Sequence, residues 1–178
     1  ISLFHNIVNL DLVYTPTFGA DRYIDGKRIS FFDRTTNTRR GREAPLVVDR
    51  PDESFSDDEL SLRLYRNFDI YETALYYYDG FWKSPAGQDA LTGSAIFPVL
   101  EVFGASVRGP VANGIGYFEI GYYKSKTNAV TDPLNRNSEY RYLLGYEQEV
   151  ATELTLGAQF YLEYKDETIL LKLALDIP

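Results

Sequence analysis

The chain has 178 residues and a formal net charge of −8, with no cysteine and one histidine. That balance offers no clustered cationic surface for nucleic-acid phosphates, and without thiols there is no disulfide, thiolate nucleophile or cysteine-based metal centre. No run approaches the roughly 18 apolar residues of a membrane-spanning helix, which leaves insertion by strands open.

Fifteen Tyr and 11 Phe stand beside one Trp. A tyrosine ring favours hydrocarbon while its hydroxyl favours water, so this composition fits a wet–apolar boundary. The chain begins with Ile, which reads as a removed leader or a fragment.

Period-two alternation predicts an all-β chain, an antiparallel up-and-down barrel forming one domain over 1–178, with about eight strands visible. The first sets Val8, Leu10, Leu12 and Tyr14 against Asn9, Asp11 and Thr15. The second sets Leu60, Leu62 and Leu64 against Glu59, Ser61, Arg63 and Tyr65. In the third, Tyr71, Thr73, Leu75 and Tyr77 oppose Glu72, Ala74 and Tyr76, and in the fourth Phe103, Ala105 and Val107 form the apolar face. The fifth alternates Phe118, Ile120 and Tyr122 with Glu119, Gly121 and Tyr123. The sixth alternates Tyr140, Tyr142, Leu144 and Tyr146 with Glu139, Arg141, Gly145 and Glu147. The seventh carries Leu154, Leu156, Ala158, Phe160 and Leu162 against Glu153, Thr155, Gly157, Gln159, Tyr161 and Glu163. The last sets Ile169, Leu171, Leu173, Leu175 and Ile177 against Thr168, Lys172 and Asp176.

Tight turns are expected at Asn67–Asp69, Gly109–Gly114 and Val150–Thr152, and long connections at 19–57, 79–96 and 124–137. Short and long alternate, as periplasmic turns and external loops do in outer-membrane barrels. The short link near Lys165-Asp166 breaks that rule. Together with an Asp-Ile-Pro ending in place of a terminal aromatic, it points to an incomplete chain.

The polar face mixes charges of both signs with Gly and Tyr, which suits a crowded, wet barrel interior, while the apolar face suits lipid. The expected lining is Asp11, Arg63, Glu72, Glu119, Arg141, Glu147, Gln159, Glu163 and Lys172. Tyr14, Tyr77, Trp82, Tyr122, Tyr140 and Tyr164 stand near strand ends, where interfacial girdles lie.

The runs Asp11-Leu12-Val13-Tyr14-Thr15-Pro16-Thr17-Phe18, Asp21-Arg22-Tyr23, Gly104-Ala105-Ser106-Val107-Arg108-Gly109-Pro110 and Leu144-Gly145-Tyr146-Glu147 resemble porin-like outer-membrane proteins of Gram-negative bacteria. The resemblance implies a barrel of more than eight strands and brings no catalytic residues.

Other chemistry is sparse. His5, with Ser2 nearby, reads as a turn histidine rather than half of a catalytic pair. Asp52, Glu53, Asp57 and Asp58 in the acidic run 49–59 are of the type that hold Ca²⁺, but their spacing is not that of an EF-hand loop. Arg34, Arg39, Arg40 and Arg42 are placed to meet that acidic run, lipopolysaccharide or an anionic solute. Glycines 109, 114 and 116 are turn residues, with no following helix or lysine for a phosphate loop.

The expectation is therefore a non-enzymatic outer-membrane channel for small hydrophilic solutes, contacting lipid and lipopolysaccharide and carrying no cofactor of its own. Two alternatives stay open: a scaffold barrel enclosing or anchoring a partner such as an electron-transfer protein, and a soluble β-barrel binding an apolar ligand. If only eight strands close the barrel, side chains fill it and no pore remains.

Overall fold

A computed structural model describes residues 1–33, 37–126 and 134–165. Twelve strands and no helix occur among them. Eight strands form one antiparallel sheet in which nearly every neighbour in space is the neighbour in sequence. In spatial order these are β1 (Ser2–Leu3), β2 (Asn9–Thr15), β5 (Glu59–Phe68), β6 (Tyr71–Phe81), β9 (Val99–Val111), β10 (Gly114–Ser125), β11 (Glu139–Ala151) and β12 (Leu154–Lys165). Two small hairpins, β3 (Phe31–Asp33) with β4 (Thr38–Arg40) and β7 (Gly87–Gln88) with β8 (Ala95–Ile96), stand apart from it. The sheet is open: among the described residues β1 and β12 do not pair with each other.

The seven strands read within the described residues all fall in this sheet. The eighth, at 169–177, lies outside the described residues together with Lys172, and so does Arg34. β1 and both small hairpins were not foreseen. They have two or three residues each, too few for alternation to register.

Three tight turns join strands at one end of the sheet, at Asp69-Ile70, Ala112-Asn113 and Thr152-Glu153. Each holds one residue with positive φ: Asp69 at 55°, Ala112 at 52° and Glu153 at 62°. Asp tolerates that region, whereas Ala and Glu adopt it only where strand pairing imposes it.

Residues opposite one another in antiparallel strands point to the same face, so the register divides the sheet cleanly. Leu10, Leu64, Leu75, Ala105, Ile120, Tyr142 and Leu162 make one continuous apolar row across seven strands. Asp11, Arg63, Tyr76, Gly104, Gly121, Arg141 and Glu163 make the adjacent row on the other face.

The turn ends drift steadily against these rows. Beyond the Leu10–Leu162 row, β2 extends one residue to Asn9, β5 four to Phe68, β9 six to Val111 and β11 nine to Ala151. Between the turn ends of β5 and β11 that is five residues of slip over four strand spacings, always in one direction. At ~3.3 Å per residue and ~4.8 Å between strands, the strands lean by about 40° from the line of turns. Closed barrels have strand tilts of about 35–45°.

Candidate functional site

The two faces are covered very differently. On the apolar face Leu75 is 59% exposed, Leu144 58% and Phe160 62%, and nothing among the described residues packs over them. Apart from Ala74 within the sheet, the buried apolar side chains Trp82, Ala95, Phe97 and Leu100 gather at the loop end, where Leu100 points to the polar face.

Long connections fold over that end as a cap. Val48 bridges Ala95 in parallel, the Asp49 amide donates to the Ala95 carbonyl at 2.8 Å, and the Ala95 amide donates to that of Val47 at 2.9 Å. The Arg136 amide donates to the Ala86 carbonyl at 2.9 Å, which ties in the segment before β11. Phe18 packs on Phe97 and Phe81, with ring centroids 4.9 and 5.5 Å apart. A polar cleft of about 940 Å³ opens between the β7–β8 hairpin, Leu46, Val47 and Arg136.

Beneath the cap lies a latch. Glu139 is fully buried on the polar face of β11. Arg136 donates to both its carboxylate oxygens at 3.0–3.2 Å, and Arg141 Nε donates to Oε1 at 2.8 Å. Arg136 also lies 4.4 Å from the ring centroid of Trp82, which stacks on Tyr123 of the polar face at 6.0 Å. Glu59 is a second anchor, accepting from the Tyr78 hydroxyl at 2.8 Å and from Lys83 of the cap. Glu139, Arg136 and Glu59 are not among the lining residues that the sequence singles out. The opposite charges at 136, 139 and 141 were the available signal.

The eight described lining residues all lie on the polar face. Arg63 reaches Asp11 at 3.8 Å and Glu72 at 3.0 Å, with its guanidinium carbon 4.3 Å from the Tyr65 centroid. Arg141 reaches Glu163 at 3.6 Å, and Glu147 accepts from Arg108 at 2.8 Å. Glu119 and Gln159 share the face without joining these pairs. Tyr117 lies directly over Gly145, where an added Cβ would overlap its ring, so that glycine is the space the tyrosine occupies.

Of the expected girdle, Tyr77, Tyr122, Tyr140 and Tyr164 fall in one row of the apolar face with Leu12, Leu62 and Phe103. Tyr122 and Tyr140 stack at 4.6 Å. The next row towards the loops holds Tyr14 and a charged set in which Lys124 bonds Glu101 at 3.0 Å, while Lys126 just beyond β10 bonds Asp79 at 2.9 Å. Trp82 departs from the girdle. It follows the last residue of β6, where alternation from Tyr77 turns it to the polar side, and it lies buried under the cap.

The remaining candidates are spread out. Asp57 Oδ2 accepts the Glu53 amide at 3.0 Å, Asp58 lies near the Tyr14 hydroxyl, and Asp52 is exposed. Among the described residues no group of three or more His, Cys, Asp or Glu is placed to hold a metal ion. Arg40 pairs with Asp33 within the β3–β4 hairpin at 2.7 Å, not with the acidic run, and Arg39 and Arg42 are exposed. His5 Nδ1 accepts the Ile7 amide at 3.2 Å, a turn contact. Compared with protein-family models, curated proteins and solved structures, the chain has no significant match.

Proposed function

We propose that this chain forms all or part of an outer-membrane β-barrel whose polar face lines a passage for small hydrophilic solutes. The observation that carries this reading is the inverted coverage of the sheet. Soluble proteins rarely leave so extended an apolar patch bare, and here the bare face is apolar while the protein covers its polar face with its own loops. The slip of the turns supports closure, because a lean of about 40° is what a barrel needs and a flat sheet has no use for. The row of Tyr and Phe capped by Lys124, Glu101, Asp79 and Lys126 is ordered as an interfacial girdle is, with rings inside and charges towards the headgroups.

Passage is a matter of lining and constriction rather than catalysis. On the polar face of the described strands, carboxylates outnumber cations eight to four. Such a lining favours cations. The cap narrows one mouth, held there by Glu139.

The test is fractionation of the full-length protein followed by reconstitution into planar bilayers in a KCl gradient. Recovery with the outer membrane and a conductance selective for K⁺ over Cl⁻ is expected. A β-rich protein that stays dissolved in detergent-free buffer would overturn the reading.

A further inference from the structure

On the polar face of the described strands every carboxylate but one is engaged. Asp11 and Glu72 meet Arg63, Glu59 meets Lys83, Glu139 and Glu163 meet Arg141, and Glu147 meets Arg108. Glu149 accepts the Glu153 amide at 3.3 Å. Glu119 alone has no partner among the described residues, and it borders a hollow of about 340 Å³, near the lower end of the range for small-molecule sites.

The hollow exists because Gly104 and Gly121 stand directly opposite each other on β9 and β10, leaving a floor of bare backbone. Tyr76 flanks this floor on β6, and Tyr161 stands in the same row as Glu119, on β12. The two tyrosines are 40% and 50% exposed. Arg141 also borders the hollow but does not neutralise Glu119, because it is bound by Glu139 and Glu163 and its guanidinium carbon lies 4.0 Å from the Tyr123 centroid.

The chemistry of the occupant follows from these groups. An anion meets an unbalanced carboxylate and is repelled. A bare metal ion finds one carboxylate where it needs several ligands. A neutral polyol displaces water from Glu119 without balancing its charge. An organic ammonium supplies the missing charge and turns its methyl or methylene groups towards electron-rich ring faces.

We propose that this hollow is a subsite for a small organic cation, held by Glu119 with Tyr76 and Tyr161 at its sides. The inference rests on the reading of the polar face as a water-filled lumen.

Choline and its uncharged carbon isostere, 3,3-dimethylbutan-1-ol, are the probes. They are titrated calorimetrically against the full-length protein in detergent, and in parallel as blockers of K⁺ conductance. Choline is expected to bind the native protein at least tenfold more tightly than the isostere. Glu119→Gln is expected to remove that preference, while Tyr161→Leu weakens choline roughly two- to fivefold. Asp69→Asn, which deletes one charge at a distant turn, is expected to leave choline binding unaltered. Glu119 has no partner to orphan among the described residues, so Glu119→Gln is expected to keep the β signal of the native protein. Equal affinity for both probes, or choline binding that survives Glu119→Gln, overturns the subsite even where conductance is seen. Glu119-dependent choline binding in detergent without conductance upholds the subsite and sinks the channel reading.

Discussion

The two faces of this one sheet solve opposite problems. The apolar face has nearly perfect alternation, keeps its ring stacks and ion pairs to the rows nearest the loops, and has no cover among the described residues. The polar face is stitched by ion pairs between strands, floored by glycines under tyrosine rings, and partly covered at the loop end by the cap. In a soluble sheet the apolar side would hold the core. Here the core among the described residues sits at one end of the polar side, and on the proposed reading the large apolar area finds its stability in lipid. The two faces should therefore respond to substitution in opposite ways.

The largest effect is expected at the latch. Glu139→Ala leaves Arg136 and Arg141 facing each other without their shared carboxylate, a loss of about 3–5 kcal/mol for a broken buried pair. Because Trp82 is the only tryptophan, its emission reports on the cap alone. A red shift with the β signal retained is the expected result.

Next come matched charges on the two faces of neighbouring strands. Leu144→Arg turns a guanidinium towards lipid and costs about 2–4 kcal/mol near the bilayer midplane, whereas Gln159→Arg enters the polar face and changes stability by less than about 1 kcal/mol. Unfolding titrations in lipid vesicles distinguish them, and equal costs would erase the comparison. A smaller effect, about 1–3 kcal/mol, is expected for Gly145→Val, which pushes Tyr117 from its place through overpacking. Thermal melts in detergent read it.

The smallest effect is local to the cap. Backbone and hydroxyl hydrogen bonds from Thr92, joined by the Leu91 amide, hold the Asp89 carboxyl below the usual carboxylate range. These bonds require the carboxylate, so their contribution is whole above the ordinary aspartate range and fades as the pH falls through the lowered value. Protection of the Leu91 and Thr92 amides, taken as exchange relative to the intrinsic rate at each pH, should fall in acid, and Asp89→Asn should flatten that dependence.

The sheet was legible because its signal is local. Two-residue periodicity at Leu60–Arg63 or Tyr140–Glu147 assigns each side chain to a face without knowledge of its neighbours, and the membership of the polar face followed from it. The cap was not legible, since it is built from backbone bonds between distant, irregular segments such as Val47–Asp49 with Ala95. Trp82 differs: alternation from Tyr77 through Phe81 already turns it to the polar side, and only the cap that buries it there lay beyond local periodicity. Glu139 was read on the correct face, but its burial depends on Arg136 arriving from the cap. The unpaired state of Glu119 likewise depends on what its neighbours already hold.

The most direct measurement is a cysteine scan of β12, made simple by the absence of native cysteine. Single cysteines from 155 to 163, spin-labelled in lipid vesicles, are read for accessibility to oxygen, which partitions into lipid, and to a water-soluble nickel chelate. Oxygen access peaking at 156, 158, 160 and 162, with chelate access peaking at 155, 157, 159, 161 and 163, is the predicted pattern. Chelate access at both sets, or the reverse alternation, would contradict the claim that the apolar face meets lipid and the polar face meets water.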